Sequence, residues 1–129
     1  MESLKKLKLA HVKEVVKLLL ENQTPFKIVV INRGIEYTPQ LPSDLQKLVE
    51  GEVVVFQLAN YTLASGEVEG EVLRFEAGFG PQNFGAVVQL PLWRIATIFL
   101  EEMENPVFIN PFSIEEPPIV KRKERLILK

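Results

Sequence analysis

The chain has 129 residues, 47% of them hydrophobic and 25% charged, a composition typical of one globular domain. It has no cysteine, which excludes disulfides and thiolate zinc sites, and it has no 18-residue apolar window and no signal-peptide core, so we expect a cytoplasmic protein that does not cross a membrane. The formal charge of −2 divides unevenly, because residues 113–129 carry +2 and residues 1–112 carry −4.

The first predicted element is an amphipathic helix. Between Leu4 and Leu20, apolar residues recur at spacings of three to five, and the pattern stops before Pro25. Additional leucines widen the apolar face beyond one stripe. The helix is therefore a candidate surface for a partner subunit as well as for the core.

Strands dominate the middle of the chain. Residues 26–31 and 35–38 flank an Asn-Arg-Gly turn and predict a hairpin, while the valine-rich stretch 52–58 predicts a strand buried on both faces. Residues 60–66 are predicted to be irregular. Two further strands are predicted at about 71–77 and 86–90, joined by a glycine-rich loop.

A second helix is predicted after Pro91. Trp93, Ala96, Leu100 and Met103 form one stripe at helical spacing, and a short extended segment follows at 107–109. The predicted architecture is α+β and mainly β, with one helix, about five mostly antiparallel strands and the second helix. It comprises a domain over residues 1–112 and a flexible tail over residues 113–129.

The titratable residues give little support for catalysis. His11 is the only histidine, so neither a Ser-His-Asp triad nor a histidine metal cluster can be built, and its ring is interpreted as partly buried or dimer-facing. Glu67, Glu69 and Glu71 alternate and could bind a hard cation or act as an acid/base pair, but a solvated acidic sheet edge is the preferred interpretation. We expect no enzyme, no cofactor and no metal.

The glycine-rich loop at 78–85 invites comparison with phosphate-binding loops. A dinucleotide-binding fingerprint needs a helix that opens on its last glycine, whereas this loop joins two predicted strands. The loop is therefore interpreted as a hairpin connection or as the rim of a binding groove.

Several short motifs occur in one order along the chain. They are Glu-Asn-Gln-Thr-Pro at 21–25, Gly-Ile-Glu-Tyr-Thr-Pro at 34–39, Glu-Gly-Glu-Val-Val-Val at 50–55, Phe-Glu-Ala-Gly-Phe-Gly at 75–80 and Leu-Pro-Leu at 90–92. In this order they resemble the stringent starvation protein B (SspB) family, adaptors that deliver ssrA-tagged polypeptides to the ClpXP protease. The resemblance covers roughly residues 8–112.

This resemblance implies a helix packed on an Sm-like barrel, a homodimer formed largely through the first helix, and a groove that binds an extended tag peptide. The groove residues implied by the resemblance are Phe56, Leu58, Phe75, Ala77, Gly78, Phe79 and Gly80. Ordinary barrel core is the alternative interpretation for Phe75 and Phe79. Where the family reads Ala-Arg-Phe-Gly-Gly, this chain has Gly78 in place of the arginine and Pro81 in place of the last glycine.

The C-terminal residues combine basic and aliphatic side chains. Arg125, Leu126, Ile127, Leu128 and Lys129 resemble the family segment that docks on the N-terminal domain of the ClpX unfoldase, and a solvated basic tail is the alternative. The leading hypothesis is thus a non-enzymatic proteolysis adaptor. An Sm-like RNA-binding module with a basic tail is the rival, weakened by the charge of −4 on residues 1–112.

Overall fold

The computed structural model describes residues 1–119 and has an α+β, mainly β fold. Helix α1 spans Glu2–Glu21, and the short helix α2 spans Asn60–Ala64. The strands are β1 (Phe26–Ile31), β2 (Glu36–Thr38), β3 (Val53–Leu58), β4 (Glu67–Glu69), β5 (Val72–Phe79), β6 (Phe84–Pro91), β7 (Ile95–Leu100) and β8 (Phe108–Ile109). Two 3-10 turns lie at Gln46–Val49 and Leu92–Arg94. None of the helices between residues 1 and 119 is long and apolar enough to cross a membrane.

The strands form two antiparallel sheets of four. The first sheet has the order β3-β1-β7-β8 and the second has the order β2-β6-β5-β4. The coarse prediction of an α+β, mainly β fold is confirmed, but eight strands replace the expected five or so. The two sheets have separate edges within residues 1–119 and do not close into one barrel.

The core lies between the inner faces of the two sheets and one side of α1. Alternate strand residues point inward, so Ile28 of β1, Phe56 of β3 and Phe75 of β5 are all buried. The Phe56 and Phe75 rings meet edge to face with centroids 5.4 Å apart and so join the two sheets. Helix α1 contributes Val12 and Val16, which are fully buried.

The predicted helix after Pro91 is wrong, because this segment contains the end of β6, a 3-10 turn and β7. The register between β1 and β7 shifts, since Val29 pairs with Thr97 whereas Val30 pairs with Ile95. Ala96 is the extra residue of a bulge. Ile95 and Ile98 therefore both face the core at a spacing of three, which in the sequence looks like helical periodicity.

The predicted hairpin between residues 26–31 and 35–38 is also wrong. Strand β1 pairs with β3 and β7, whereas β2 lies in the other sheet beside β6. The Asn32 side chain donates to the carbonyls of Val49 and Gly51, each at 2.9 Å, and so ties the end of β1 to the start of β3. The turn between β1 and β2 therefore connects the first sheet to the second.

Two smaller expectations in the middle of the chain are also corrected. Strand β3 is buried on one face only, because its burial alternates and leaves Val53 and Val55 about half exposed. The segment expected to be irregular contains α2, where Asn60 has a positive φ of 52° and Ser65 closes the helix by donating from its hydroxyl to the Thr62 carbonyl. Sheet edges and short helices leave weak periodicity in a sequence, so neither feature was recognised.

The packed structure continues past residue 112, so the predicted domain boundary lies inside it. Arg94 donates to the carbonyls of Ser113 and Glu115, both at 2.8 Å, and the Trp93 indole donates to the Glu115 carbonyl at 2.9 Å. Arg33 donates to the Ile114 carbonyl at 2.9 Å. The burial of Arg94 lowers the pKa of its guanidinium, and the desolvation is offset by these carbonyl partners. The chain is held against α1 as far as Ile119.

Candidate functional site

A recess with a volume of about 900 Å³ runs along one face of the second sheet and beneath α2. We call this recess the groove. Its floor is formed by residues that pair across β2, β6 and β5, since Thr38 pairs with Val87 and Gly78 pairs with Gly85. The lining residues are Thr38, Pro39, Ala59, Asn60, Tyr61, Thr62, Glu76, Ala77, Gly78, Asn83, Gly85, Ala86 and Val87.

One side of the groove is a strand edge that lacks a strand partner over part of its length within residues 1–119. Strand β4 pairs only with residues 72–74 of β5 and so leaves residues 75–79, the open β5 segment, with no strand on that side within residues 1–119. The Glu76 amide points to this side and donates to the Ser65 hydroxyl at 2.9 Å. Because backbone direction repeats every two residues, the Gly78 amide and carbonyl face the same way. An extended peptide can pair with such an edge.

The charge in the groove comes from one carboxylate. The Tyr61 hydroxyl donates to Glu76 Oε1 at 2.6 Å and fixes the carboxylate at the wall of the groove. This hydrogen bond, together with the negative charge of Glu76, raises the pKa of Tyr61 above its ordinary value. The other side chains lining the groove are apolar or neutral. The groove therefore favours a neutral or cationic group of a ligand and disfavours an anion.

The Asn83 side chain covers Gly78, the position at which the resemblance described above would imply an arginine. A Cβ atom built on Gly78 would collide with the Asn83 carboxamide, so that carboxamide occupies the space in which a side chain at residue 78 would start. Asn83 itself lies in the tight turn after Gly80, with a φ of 55° and its amide donating to the Gly80 carbonyl at 3.0 Å. A neutral amide group therefore lies where the resemblance implies a cation.

The predicted groove residues divide between the core and the groove. Phe56, Leu58, Phe75 and Phe79 are buried and face the core; Phe79 meets Tyr37 edge to face at 5.8 Å. The core interpretation describes the positions of Phe75 and Phe79. Ala77 and Gly78 line the groove, and Gly80 lies in the turn beside Leu45.

Sequence reasoning missed most of the other lining residues. Tyr61 and Thr62 come from α2, a five-residue helix with too little periodicity to be read from the sequence. Asn60 and Asn83 adopt positive φ. Asparagine tolerates that conformation better than most other residues except glycine, so these two asparagines are a sequence signal for tight turns at the groove.

The three alternating glutamates do not converge on one point. Glu67 and Glu69 lie beside the same arginine, with distances of 2.8 and 3.4 Å to Arg74 Nη1, whereas Glu71 follows a turn and lies 3.7 Å from Lys13 Nζ. Within residues 1–119 there is no group of three His, Cys, Asp or Glu side chains that could hold a metal ion. The arrangement corresponds to the acidic strand edge, with Arg74 as its counter-charge.

The remaining predicted sites lie on α1 and in the tail. The His11 ring packs edge to face against Phe108 with centroids 5.2 Å apart. The outward side of α1 exposes Leu7 and Leu18, which are 11 positions apart, with charged residues such as Glu14 and Lys17 between them. The ClpX-docking residues predicted at 125–129 lie outside the described residues.

A scan of the sequence against protein-family models finds no match, and a comparison with curated proteins finds none either.

Proposed function

We propose that this protein is a non-enzymatic proteolysis adaptor whose groove binds a degradation-tag peptide and whose C-terminal segment attaches the complex to the ClpX unfoldase. One observation carries the proposal: the open β5 segment lies beside the groove, so backbone pairing and a side-chain recess are available to the same ligand. Backbone pairing supplies affinity without regard to sequence, and the recess discriminates between side chains. The two sheets are taken as the Sm-like arrangement that the resemblance implies.

The form of the ligand follows from the geometry of the edge. An extended chain paired with β5 places every second side chain over the groove floor, where Gly85 gives close access to the backbone and the Asn83 carboxamide covers Gly78. Glu76 then lies near one of these side chains. The tag should therefore be neutral or basic at that position, a preference opposite to the one that a family arginine would give.

Attachment to ClpX is assigned to residues Arg125–Lys129. The described residues end beside the first turn of α1, where the Ile119 amide donates to Glu2 Oε2 at 3.2 Å. The five residues from 120 to 124, between this point and the docking segment, reach at most about 18 Å when fully extended. A tether of this length keeps a bound substrate close to the unfoldase and raises its effective concentration there.

Fluorescence anisotropy with a labelled ssrA peptide tests the groove. A Cβ atom at Gly85 would meet nothing within 4 Å, so a side chain can be added to the groove floor without disturbing the fold. We expect Gly85→Gln to weaken peptide affinity by at least about tenfold, while Gly85→Ala serves as the matched small substitution and loses less. Equal affinity for the wild type and Gly85→Gln would contradict the proposal. So would salt-dependent binding of a labelled RNA in the absence of peptide binding.

Deletion of residues 125–129 tests the second step. The truncated protein should bind the labelled peptide as the full chain does, but should no longer accelerate degradation of a tagged substrate by ClpXP. Loss of peptide binding on truncation would contradict the assignment of the two functions to separate parts of the chain.

A further inference from the structure

A second and smaller recess lies beside β2. It has a volume of about 280 Å³ and is formed by a residue of β2, the segment that follows this strand and the 3-10 turn at Gln46–Val49. Small-ligand sites usually span about 300–1,000 Å³, so this recess suits a small molecule or one side chain of a partner. We call it the β2 recess. Its lining residues, none of which lines the groove, are Tyr37, Gln40, Leu41, Gln46, Val49 and Glu50.

The β2 recess contains an unpaired hydrogen-bond donor. The Tyr37 hydroxyl is the one buried side-chain nitrogen or oxygen that has no hydrogen-bond partner within residues 1–119. Burial raises the pKa of Tyr37 to about 12, so at neutral pH the hydroxyl keeps its proton and can donate it. A phenylalanine would place the same ring against Phe79 without this unpaired donor. Core packing therefore does not account for the hydroxyl, and a ligand that accepts from it does.

The other lining residues restrict the charge and polarity of such a ligand. Leu41 is buried and Val49 is half-buried, so together with the Tyr37 ring they offer an apolar wall. Glu50 is the charged residue of the lining, and within residues 1–119 no lysine or arginine lines the recess. An anion would be repelled by Glu50 and would find no counter-charge there.

We propose that the β2 recess binds a small neutral group with an apolar body and a carbonyl oxygen, which accepts a hydrogen bond from the Tyr37 hydroxyl. The apolar body packs against Leu41 and Val49. An amide is the class that fits best, because the Glu50 carboxylate and the Gln40 carboxamide oxygen are acceptors for its N–H groups.

Entry of this group needs the movement of one side chain. The Tyr37 hydroxyl is closed to water in the free protein, so a ligand oxygen reaches it after a neighbouring side chain rotates. Gln40 and Gln46 are exposed and are the long flexible side chains of the lining. The Gln46 carboxamide donates to the Leu41 carbonyl at 2.9 Å, and water can replace this partner when the side chain turns outward.

A nuclear magnetic resonance titration of the full chain tests the site with three probes that share an isopropyl group. They are isobutyramide, isobutyrate and isobutylamine. We expect isobutyramide to shift the backbone amide signals of Leu41, Val49 and Glu50, with a Kd in the millimolar range because so small a molecule makes few contacts. The carboxylate and the amine should each bind at least about threefold more weakly, since one is repelled by Glu50 and the other has no oxygen to accept from Tyr37.

Tyr37→Phe removes the hydroxyl and keeps the ring. This variant should bind isobutyramide about three- to tenfold more weakly and isobutylamine as the wild type does. Tyr61→Phe removes a hydroxyl that lies beside the groove and is the matched control, which should leave isobutyramide affinity unchanged. The melting temperature of Tyr37→Phe should equal or exceed that of the wild type, and a lower value would mean that the hydroxyl has a structural partner.

Several results would overturn the proposal. They are the absence of any isobutyramide binding, equal affinity of the wild type and Tyr37→Phe for this probe, and binding of isobutyrate or isobutylamine as tight as that of the amide. A capped Gly-Gln-Gly peptide, which carries the amide on a side chain, distinguishes two sources of the ligand. Binding at least as tight as that of isobutyramide would indicate a residue of a partner chain, whereas exclusion of the peptide would indicate a free small molecule.

The β2 recess does not depend on the proposed adaptor function. Tyr37 does not line the groove, so Tyr37→Phe should bind the labelled ssrA peptide with the affinity of the wild type. A wild type that binds this peptide but no isobutyramide would contradict the β2 recess alone, and the reverse result would contradict the groove alone.

Discussion

The open β5 segment and the β3 edge present the same backbone chemistry with different surroundings. Beside β5 lie a helix, a carboxylate and two glycines, which form a recess with polar groups in its wall. On β3 lie two half-exposed valines on a flat sheet face. Neither edge has a further strand beside it within residues 1–119, and the side chains around an open edge determine which partner fits it. A recess suits one extended peptide, whereas a flat edge suits another sheet.

The largest expected effect is on stability and comes from a core residue that lies between β3 and β5. Phe56 lies on β3 but points inward onto Phe75, so it belongs to the core shared by both sheets. Phe56→Ala should lower the free energy of unfolding by about 3–5 kcal/mol, because it removes a buried aromatic ring and leaves a cavity. Urea unfolding measures this change, and the exposed Val55→Ala is the comparison on the same strand.

A different result would assign Phe56 to the ligand site. If Phe56→Ala reduced peptide affinity at nearly unchanged stability, the ring would be part of a groove, as the resemblance implies. The assignment of Phe56 to the core face of β3 would then be wrong.

The sequence predicts the regular elements better than it predicts how they associate. The apolar stripe of α1 and the β-branched run of β1 are strong local signals, and both elements form close to their predicted bounds. Which strand becomes an edge depends on pairing between residues far apart in sequence, as in Phe26 opposite Leu58. No periodicity within one segment encodes that choice, so the open edge of β3 was not predicted.

The same limit applies to the candidate site. The motif at residues 75–80 drew attention to β5, and Ala77 and Gly78 do line the groove. Period-two alternation then assigns Phe75 to the face opposite Gly78, a face it shares with the partly buried Ala77, and this assignment could have been made from the sequence. The contribution of Tyr61 could not have been predicted, because it depends on the hydrogen bond to Glu76 across a turn and a short strand.

The negative charge of Glu76 should have a smaller effect, which is on the affinity of the groove for charged peptides. We expect the wild type to prefer a copy of the tag peptide whose acidic residues are changed to amides, and Glu76→Arg to prefer the acidic original. Each preference should be about two- to fivefold in Kd, because Glu76 is exposed and water screens its field. Anisotropy titrations at low salt measure the ratio.

Glu104 provides the control for this charge reversal. It is exposed and does not line the groove, so Glu104→Arg should leave the ratio of the two Kd values as in the wild type. If both arginine variants changed the ratio equally, the effect would arise from net charge and not from the groove.

The smallest expected effect is on stability and concerns Tyr37 of β2. Strand β2 is the edge opposite β4 in the sheet that contains the groove. The Tyr37 hydroxyl is buried and has no hydrogen-bond partner within residues 1–119, in contrast to Tyr61 beside the groove. Tyr37→Phe should therefore be neutral or stabilise the fold by up to about 1 kcal/mol, since it removes an unpaired polar atom and keeps the ring against Phe79.

The stability difference between the wild type and Tyr37→Phe should change with pH in a defined direction. Burial raises the pKa of Tyr37 to about 12 from the ordinary 10.0, so the unfolded chain loses this proton at lower pH than the folded chain. The contribution of Tyr37 to stability is present below pH 10 and is lost as pH rises to about 12. Urea midpoints of the wild type should fall relative to those of Tyr37→Phe across this range. A constant difference would mean that the hydroxyl is paired or solvated, and the two tyrosines of this sheet would then no longer differ in environment.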